Sequence, residues 1–291
     1  NQAEDKADHG LHAIQPIAPL PWTPMPSLHL SSSPLAGGRP TTISYLRAGE
    51  GPVVLFLHGG WGYGVYPIDI DALASTHTVV IPSRSGYGGS TPLDSFPPHF
   101  HYCAVLETVA LLDALGIEEA VWWGHSDGAV IAAMAAIHAP TRVRAVILEA
   151  LHLYAAKPGS RSFFGRMASA PETFNASLRA TLAADHGEDR WHHLLQLDGQ
   201  AWLDLASHAA DPWADLYDGR LDEVRMPALV IHGAQDPRTE ANELESVLKA
   251  IPQAKLSWHV GGGHSPHSES SRETVNGAVL EFLESLPPAP A

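Results

Sequence analysis

A three-layer α/β/α sandwich around a mostly parallel sheet is the fold class this sequence predicts, on three observations. Residues 53–57, 78–81, 120–123, 143–148 and 228–231 are short, mainly apolar runs without regular polar alternation, Thr78 and Arg144 being the polar exceptions, so each reads as a strand buried on both faces. Helical spacing fills the gaps between them: Val105, Leu106, Val109, Leu112 and Leu115 share one stripe that Gly116 closes, and Val130, Met134 and Ile137 share another that Pro140 ends. Strands separated by helices at this spacing need right-handed crossovers, which make a parallel sheet covered on both sides.

Residues 1–40 read as an irregular arm, because seven prolines fall between Pro16 and Pro40 and Ser31–Ser33 and Gly37-Gly38 interrupt them. His9 and His12 have no further ligand at suitable spacing and belong to that arm. Residues 41–46 alternate like a half-exposed strand, and a turn at 49–52 leads into the run 53–57. That strand stops at the glycine-rich His58-Gly59-Gly60-Trp61-Gly62; the next stops at a loop carrying Arg84 and Tyr87. After 148 the expected strand does not arrive. Residues 151–222 instead carry short helical patterns with Phe163, Phe164, Phe174, Trp191, Trp202, Trp213 and Tyr217, expected as a lid over the C-terminal ends of the strands, where open α/β sheets place ligands. Those aromatics either form the lid's own core or line a mainly apolar pocket. A sixth buried strand at 255–260 and a helix at 272–283, with Val275, Val279 and Phe282 on one face, complete the pattern. The organisation is therefore an arm (1–40), a core (41–150), a helical cap (151–222) and the rest of the core (223–291).

At 291 residues and 45% hydrophobic, the chain can bury a sizeable core. Its formal charge of −15 argues against nucleic acid and anionic membranes as partners, and no run of 18 apolar residues offers a membrane span. The one cysteine, Cys103, rules out an intrachain disulfide and a thiolate metal site, and it reads as an inert core residue. The cytoplasm is the favoured compartment; secretion stays open because the chain begins at Asn1 without methionine. Self-association, as monomer or dimer, is not readable from the residues.

The chemistry centres on Gly124-His125-Ser126-Asp127-Gly128, where an apolar run ends abruptly and a helix follows. Glycines two residues either side of a serine suit a sharp strand-to-helix turn that lifts the hydroxyl clear of the sheet. Ser126 needs a base, since a hydroxyl is a weak nucleophile at neutral pH. His264 follows the last strand and the flexible Gly261-Gly262-Gly263, and Asp236 follows the strand at 228–231, placed to orient the imidazole. Glu149, just after the strand at 143–148, is the alternative acid. His267 is expected to be a decoy one turn beyond His264, and His125 to pack in the elbow. Negative charge on a carbonyl oxygen needs fixed N–H donors: the backbone of Asp127 supplies one, and Trp61 the other, with Gly60 as the alternative donor. Arg84 and Tyr87 are expected to support that loop, with contact to substrate through either side chain as the alternative. No phosphate-loop or dinucleotide spacing is present, and since nucleophile, base and electrophilic stabilisation are all protein groups, neither a metal nor an organic cofactor is expected.

These marks together (His58-Gly59-Gly60-Trp61-Gly62, the 84–90 loop, the serine elbow, Gly233-x-x-Asp236 and Gly263-His264) resemble the α/β-hydrolase superfamily over roughly residues 41–150 and 223–288. The resemblance implies a largely parallel eight-stranded sheet with a helical cap between its sixth and seventh strands, and a Ser126–His264–Asp236 triad. The nearest subgroup it points to is the serine hydrolases with a His-Ser-Asp-Gly elbow. Relatives that open epoxides or alkyl halides carry aspartate at the serine position, so those reactions are not expected.

The expected activity is hydrolysis of a small or medium carboxylic ester with an apolar portion, through an acyl-enzyme. A thioester, lactone, amide or carbon–carbon bond would use the same triad. From another class, a receptor-like relative would bind its ligand without completing turnover.

Overall fold

The computed structural model describes residues 25–288. The reading of His9 and His12 and most of the proline-rich arm therefore lie outside the described residues. Eight strands form one sheet in the order β1-β2-β4-β3-β5-β6-β7-β8. They are β1 (Ser27–Ser33), β2 (Arg39–Ala48), β3 (Val53–Leu57), β4 (Thr78–Pro82), β5 (Ala120–His125), β6 (Val143–Glu149), β7 (Ala228–Gly233) and β8 (Lys255–His259). β2 runs antiparallel to both β1 and β4, and every pair from β4 to β8 is parallel.

The helices are α1 (Ile70–Ala74), α2 (Phe100–Ala114), α3 (Asp127–His138), α4 (Arg161–Ser169), α5 (Ala176–His186), α6 (Trp191–His208), α7 (Glu243–Ala250) and α8 (Arg272–Glu284). Successive strand residues point to opposite faces, which divides the core in two. Val54, Phe56, Val121, Trp123, Ile147 and Ile231 pack with Leu73 of α1 and Val275, Val279 and Phe282 of α8. Leu55, Leu57, Trp122, Val146, Leu148 and Val230 pack with α2, α3 and Val247 of α7. Helices thus cover both faces of the sheet, and the three layers follow from the mainly apolar runs.

Two readings of the sequence are corrected. The arm is not irregular throughout: Ser27–Ser33 is an edge strand whose Leu28, His29 and Leu30 face Ile43, Thr42 and Thr41 of β2. Proline density around it hid a proline-free run in which Leu30 is buried between exposed neighbours. β8 is not a buried strand either, because it closes the other edge of the sheet and leaves Leu256 and Trp258 exposed. Cys103 is only partly buried, on α2.

Buried charges tie the pieces together. Glu107 of α2 accepts hydrogen bonds from Ser33, from the Ser85 hydroxyl (2.6 Å) and from the Ser85 N–H (2.9 Å), linking the end of β1 to the loop after β4. α4, α5 and α6 lie in the segment between β6 and β7. The start of that segment is held by a buried Lys157–Glu243 pair (2.6 Å), whose carboxylate also accepts the Leu153 N–H (2.7 Å).

The tightest packing is at the β5–α3 corner. A Cβ on Gly128 would overlap the Leu57 carbonyl, and one on Gly124 would overlap the Gly128 carbonyl. By contrast, Gly277 is exposed within α8 with open space around it. Gly128→Ala should lower the unfolding free energy by at least about 2 kcal/mol, while Gly277→Ala should raise it by about 0.5–1 kcal/mol. Chemical denaturation of the two variants beside the parent checks both signs.

Candidate active site

The strand-to-helix turn at Ser126 has φ 55° and ψ −119°, a region that costs a side-chain-bearing residue about 1–3 kcal/mol. The turn is held by the Ser126 N–H, which donates to the Glu149 carbonyl (2.9 Å), and by the Ser126 carbonyl, which accepts from Ala129 (2.8 Å). The side chain is thereby pushed into a pocket at the C-terminal ends of the strands. His264, Gly60, Trp61, Asp127 and His152 line that pocket, and Phe163, Phe164, Met167 and Trp202 of α4 and α6 give it an apolar wall.

Asp236 and His264 meet as the sequence suggests: the imidazole Nδ1–H donates to both carboxylate oxygens, at 2.9 and 3.0 Å. Burial alone would raise the Asp236 pKa, but His264 and the Arg238 N–H hold it below the usual carboxylate range. The Nε2 of His264 has no hydrogen-bond partner among the described residues.

Ser126 and His264 line the same pocket yet share no hydrogen bond. The Ser126 hydroxyl lies instead 3.2 Å from Nε2 of His152, a residue the sequence reading did not single out. The His152 and His264 rings are nearly parallel, with centroids 5.7 Å apart. Burial, followed by the charges of Lys157 and His264, pushes the His152 pKa well below the ordinary histidine value.

The alternative acid, Glu149, does not reach His264. Its Oε1 accepts from both the N–H (3.0 Å) and Nδ1–H (2.8 Å) of His267, and its other oxygen accepts from Trp123. His267 also donates from Nε2 to the Tyr66 carbonyl (2.9 Å), so both ring nitrogens carry protons. Burial works against that charge, but Glu149 raises the His267 pKa above its ordinary value. His267 is wholly buried beneath the site and does not line the pocket. His125 packs in the elbow, its Nε2 near the His264 carbonyl (3.1 Å) and the Ser265 hydroxyl (2.9 Å). Burial, then the neighbouring His267 and His264, pushes its pKa down to about 3.

The carboxylate of Asp127 turns away from the serine to accept from His101 and from Trp202 of α6, each at 3.0 Å. Next to it sits Asp198, wholly buried in α6, whose pKa is raised well above normal by burial and then by Asp127. Asp198 could have been suspected, since it shares one helical stripe with Trp191, Leu194, Leu195 and Trp202. His152 had a weaker signal, its place three residues beyond β6. Among the described residues no group of three or more His, Cys, Asp or Glu is arranged to hold a metal ion.

With sheet order, serine turn and the Asp236–His264 pair in place, comparison with known proteins is decisive. The model of the alpha/beta hydrolase family matches residues 54–278. The chain belongs to that family. It is 28% identical over 249 residues to the serine hydrolase BPHL of Mus musculus, covering 83% of each chain. It is also 28% identical over 269 residues to a putative carbamate hydrolase RutD of Azorhizobium caulinodans, covering 86% of this chain and 97% of the relative. Among solved structures, a hydrolase from Pseudomonas aeruginosa PA01 superposes with a TM-score of 0.67 at 21% identity, over 89% of this chain and 98% of that one.

In this hydrolase the loop after β3 is fixed from three sides. Arg84 donates to the carbonyls of His58 and Gly59, with its guanidinium over the Tyr87 ring. His58 donates from Nδ1 to the Gly59 carbonyl (2.7 Å) and accepts the Arg84 N–H at Nε2 (3.3 Å). His186 of α5 accepts the Gly88 N–H at Nδ1 and donates from Nε2 to the Trp61 carbonyl, each at 3.0 Å. Arg84 and Tyr87 therefore support the loop, as their place in the sequence suggested. A Cβ on Gly59 would stand 3.1 Å from the Ser126 Cβ, so the loop passes directly over the serine. The main-chain N–H groups of Gly60, Trp61 and Asp127 have no acceptor among the described residues.

Because His58 and His186 each accept a main-chain N–H, each must be neutral, and protonation would set donor against donor. Burial is the largest cause holding both pKa values below the ordinary 6.5, and it does the same to His125 and His152. A histidine depressed in the fold binds its proton more readily in the unfolded chain, so its stabilisation is full above about pH 6.5 and is lost as pH falls. Unfolding free energy should drop below about pH 6.5 by about 1.4 kcal/mol per pH unit for each histidine that stays neutral. Denaturant titrations between pH 7.5 and 5 measure this slope. A flat profile would contradict the neutral assignment.

Proposed function

We propose that the protein hydrolyses a small or medium carboxylic ester through an acyl-enzyme on Ser126. The observation that carries this reading is the strained serine turn facing the same pocket as a carboxylate-oriented imidazole. In the proposed cycle the Ser126 hydroxyl attacks the ester carbonyl carbon while His264 Nε2 takes its proton. The tetrahedral oxyanion is received by the free N–H groups of Asp127 and Trp61, with Gly60 the alternative to Trp61. The imidazolium, steadied by Asp236, then protonates the leaving alcohol. Water deprotonated by His264 attacks the acyl carbon, the acid departs, and the hydroxyl of Ser126 is restored.

His152 competes with His264 for the role of base, since it holds the hydroxyl at rest. It is the weaker candidate on two physical counts. No carboxylate supports its protonated form, and burial already disfavours that form. Proton transfer to His264 would need the Ser126 hydroxyl to leave His152, as a rotation about χ1 between staggered positions would allow. Such looseness is common before substrate binds. His152 is thus assigned to parking the hydroxyl, and His264 to proton transfer.

Several features favour catalysis over mere binding. Serine, imidazole and carboxylate are all present, and the N–H donors beside the serine lack other acceptors. The apolar wall from α4 and α6 suits a substrate with an apolar portion. A carbamate is the second reading, prompted by the likeness to the putative carbamate hydrolase RutD along nearly its whole length. Its carbonyl would undergo the same attack with a nitrogen or oxygen leaving group.

Turnover of p-nitrophenyl acetate and butyrate, together with a phenyl carbamate, tests the assignment. Ser126→Ala and His264→Ala should each lower kcat/KM by at least about 10³-fold, and Asp236→Asn by about 10²–10⁴-fold. His152→Ala should cost less than about tenfold, because general-base catalysis survives it. Equal losses in His152→Ala and His264→Ala would overturn the division of roles.

A further inference from the structure

Three lysine or arginine residues are buried among the described residues: Arg84, Lys157 and Arg238. Two are accounted for. Arg84 donates to loop carbonyls, and Lys157 pairs with Glu243 at 2.6 Å. The guanidinium of Arg238 has neither a hydrogen bond nor an ion pair among the described residues. It lies over the Phe163 ring, 3.2 Å from the centroid, and both residues line the pocket that holds Ser126 and His264.

Among the described residues no nearby carboxylate bonds to it directly. Asp236 is committed to His264 and to the Arg238 N–H. Glu269, also on the pocket, accepts the N–H groups of Gly263 (2.6 Å) and Ser265 (3.1 Å). Burial pulls the Arg238 pKa down to about 10, against the opposing pull of Asp236 and Tyr66, so the group stays charged at neutral pH. A buried cation without a paired anion is unfavourable unless something else completes it. Stacking on Phe163 engages a face of the guanidinium; the N–H edge that matches a carboxylate in a two-pronged bond is a separate feature.

We propose that Arg238 is a subsite for an ionised carboxylate, so that the substrate cleaved at Ser126 is an ester carrying a second, free carboxylate group. The proposal rests on the ester-hydrolase reading of the pocket and narrows it. Apolar side chains of α4 and α6 would enclose the carbon chain between the two functional groups, with the scissile carbonyl at Ser126 and the anion at Arg238. Burial, followed by Asp127, pushes the Asp198 pKa well above the usual carboxylate range, which disfavours a repelling charge there.

The test is equilibrium binding by calorimetry in Ser126→Ala protein, which holds esters without turning them over. The probes are monomethyl glutarate, a monoanion, and neutral dimethyl glutarate. The monoanion should bind at least about tenfold more tightly than the diester. Adding Arg238→Gln should abolish that preference, and Arg238→Lys should restore part of it, since lysine keeps the charge but loses the fork. Equal binding of the two esters, no detectable binding of the monoanion, or a preference that survives Arg238→Gln would each overturn the proposal. Failure of the ester reading shows elsewhere, as wild-type protein that turns over neither ester while the Ser126→Ala binding preference stands.

Discussion

The backbone of Ser126 cannot relax, and the rest of the site is arranged around that constraint. A residue with a Cβ at φ 55°, ψ −119° persists only where its surroundings over-determine it. Here β6 holds it through the Glu149 carbonyl, and the first turn of α3 holds it from the other side. The close approach that leaves no room for a Cβ on Gly128 also brings the end of β3 against the start of α3. The glycine-rich loop after β3 is thereby carried over the serine, and Gly60 and Trp61 line the same pocket as the hydroxyl for the same packing reason. Strain, presentation of the Ser126 hydroxyl and the unpaired loop N–H groups are consequences of one tight corner.

Three histidine–carboxylate pairs surround this corner, and burial separates their roles. Asp127 and His101 are buried together and anchor α6 through Trp202. Glu149 and His267 are wholly buried, with both nitrogens of His267 already engaged. Among the described residues only His264 presents a ring nitrogen without a partner to the pocket while a carboxylate holds the other. The chemistry of an imidazole depends less on having an acid beside it than on what remains free. The same accounting sets Arg238 apart from Arg84 and Lys157.

Most of the sheet was legible because parallel strands buried on both faces leave mainly apolar runs, and 53–57, 143–148 and 228–231 all become strands within a residue or two. The edges were harder to read, since edge strands need only one covered side. The prolines flanking β1 hide it, and the pattern of β8 reads as a buried strand although its Trp258 is exposed. In the site, Asp236 and His264 could be paired because each follows a strand on the same side of the sheet. His152, Asp198 and Arg238 could not be assigned, because their importance lies in contacts across the pocket. Their neighbours in space come from α4, α6 and the loops after β6 and β7, and no local pattern records which of those side chains meet. Likewise, only in three dimensions does His267 engage Glu149 while Asp236 meets His264.

The most direct test of the central claim is reaction with a fluorophosphonate, which attaches only to an activated hydroxyl, followed by peptide mapping in a mass spectrometer. The account requires one phosphonyl group per chain, located on residue 126 and formed without any added metal or cofactor. A protein that stays unmodified while folded, or that carries the group on a different side chain, would mean that the strained serine is not the nucleophile.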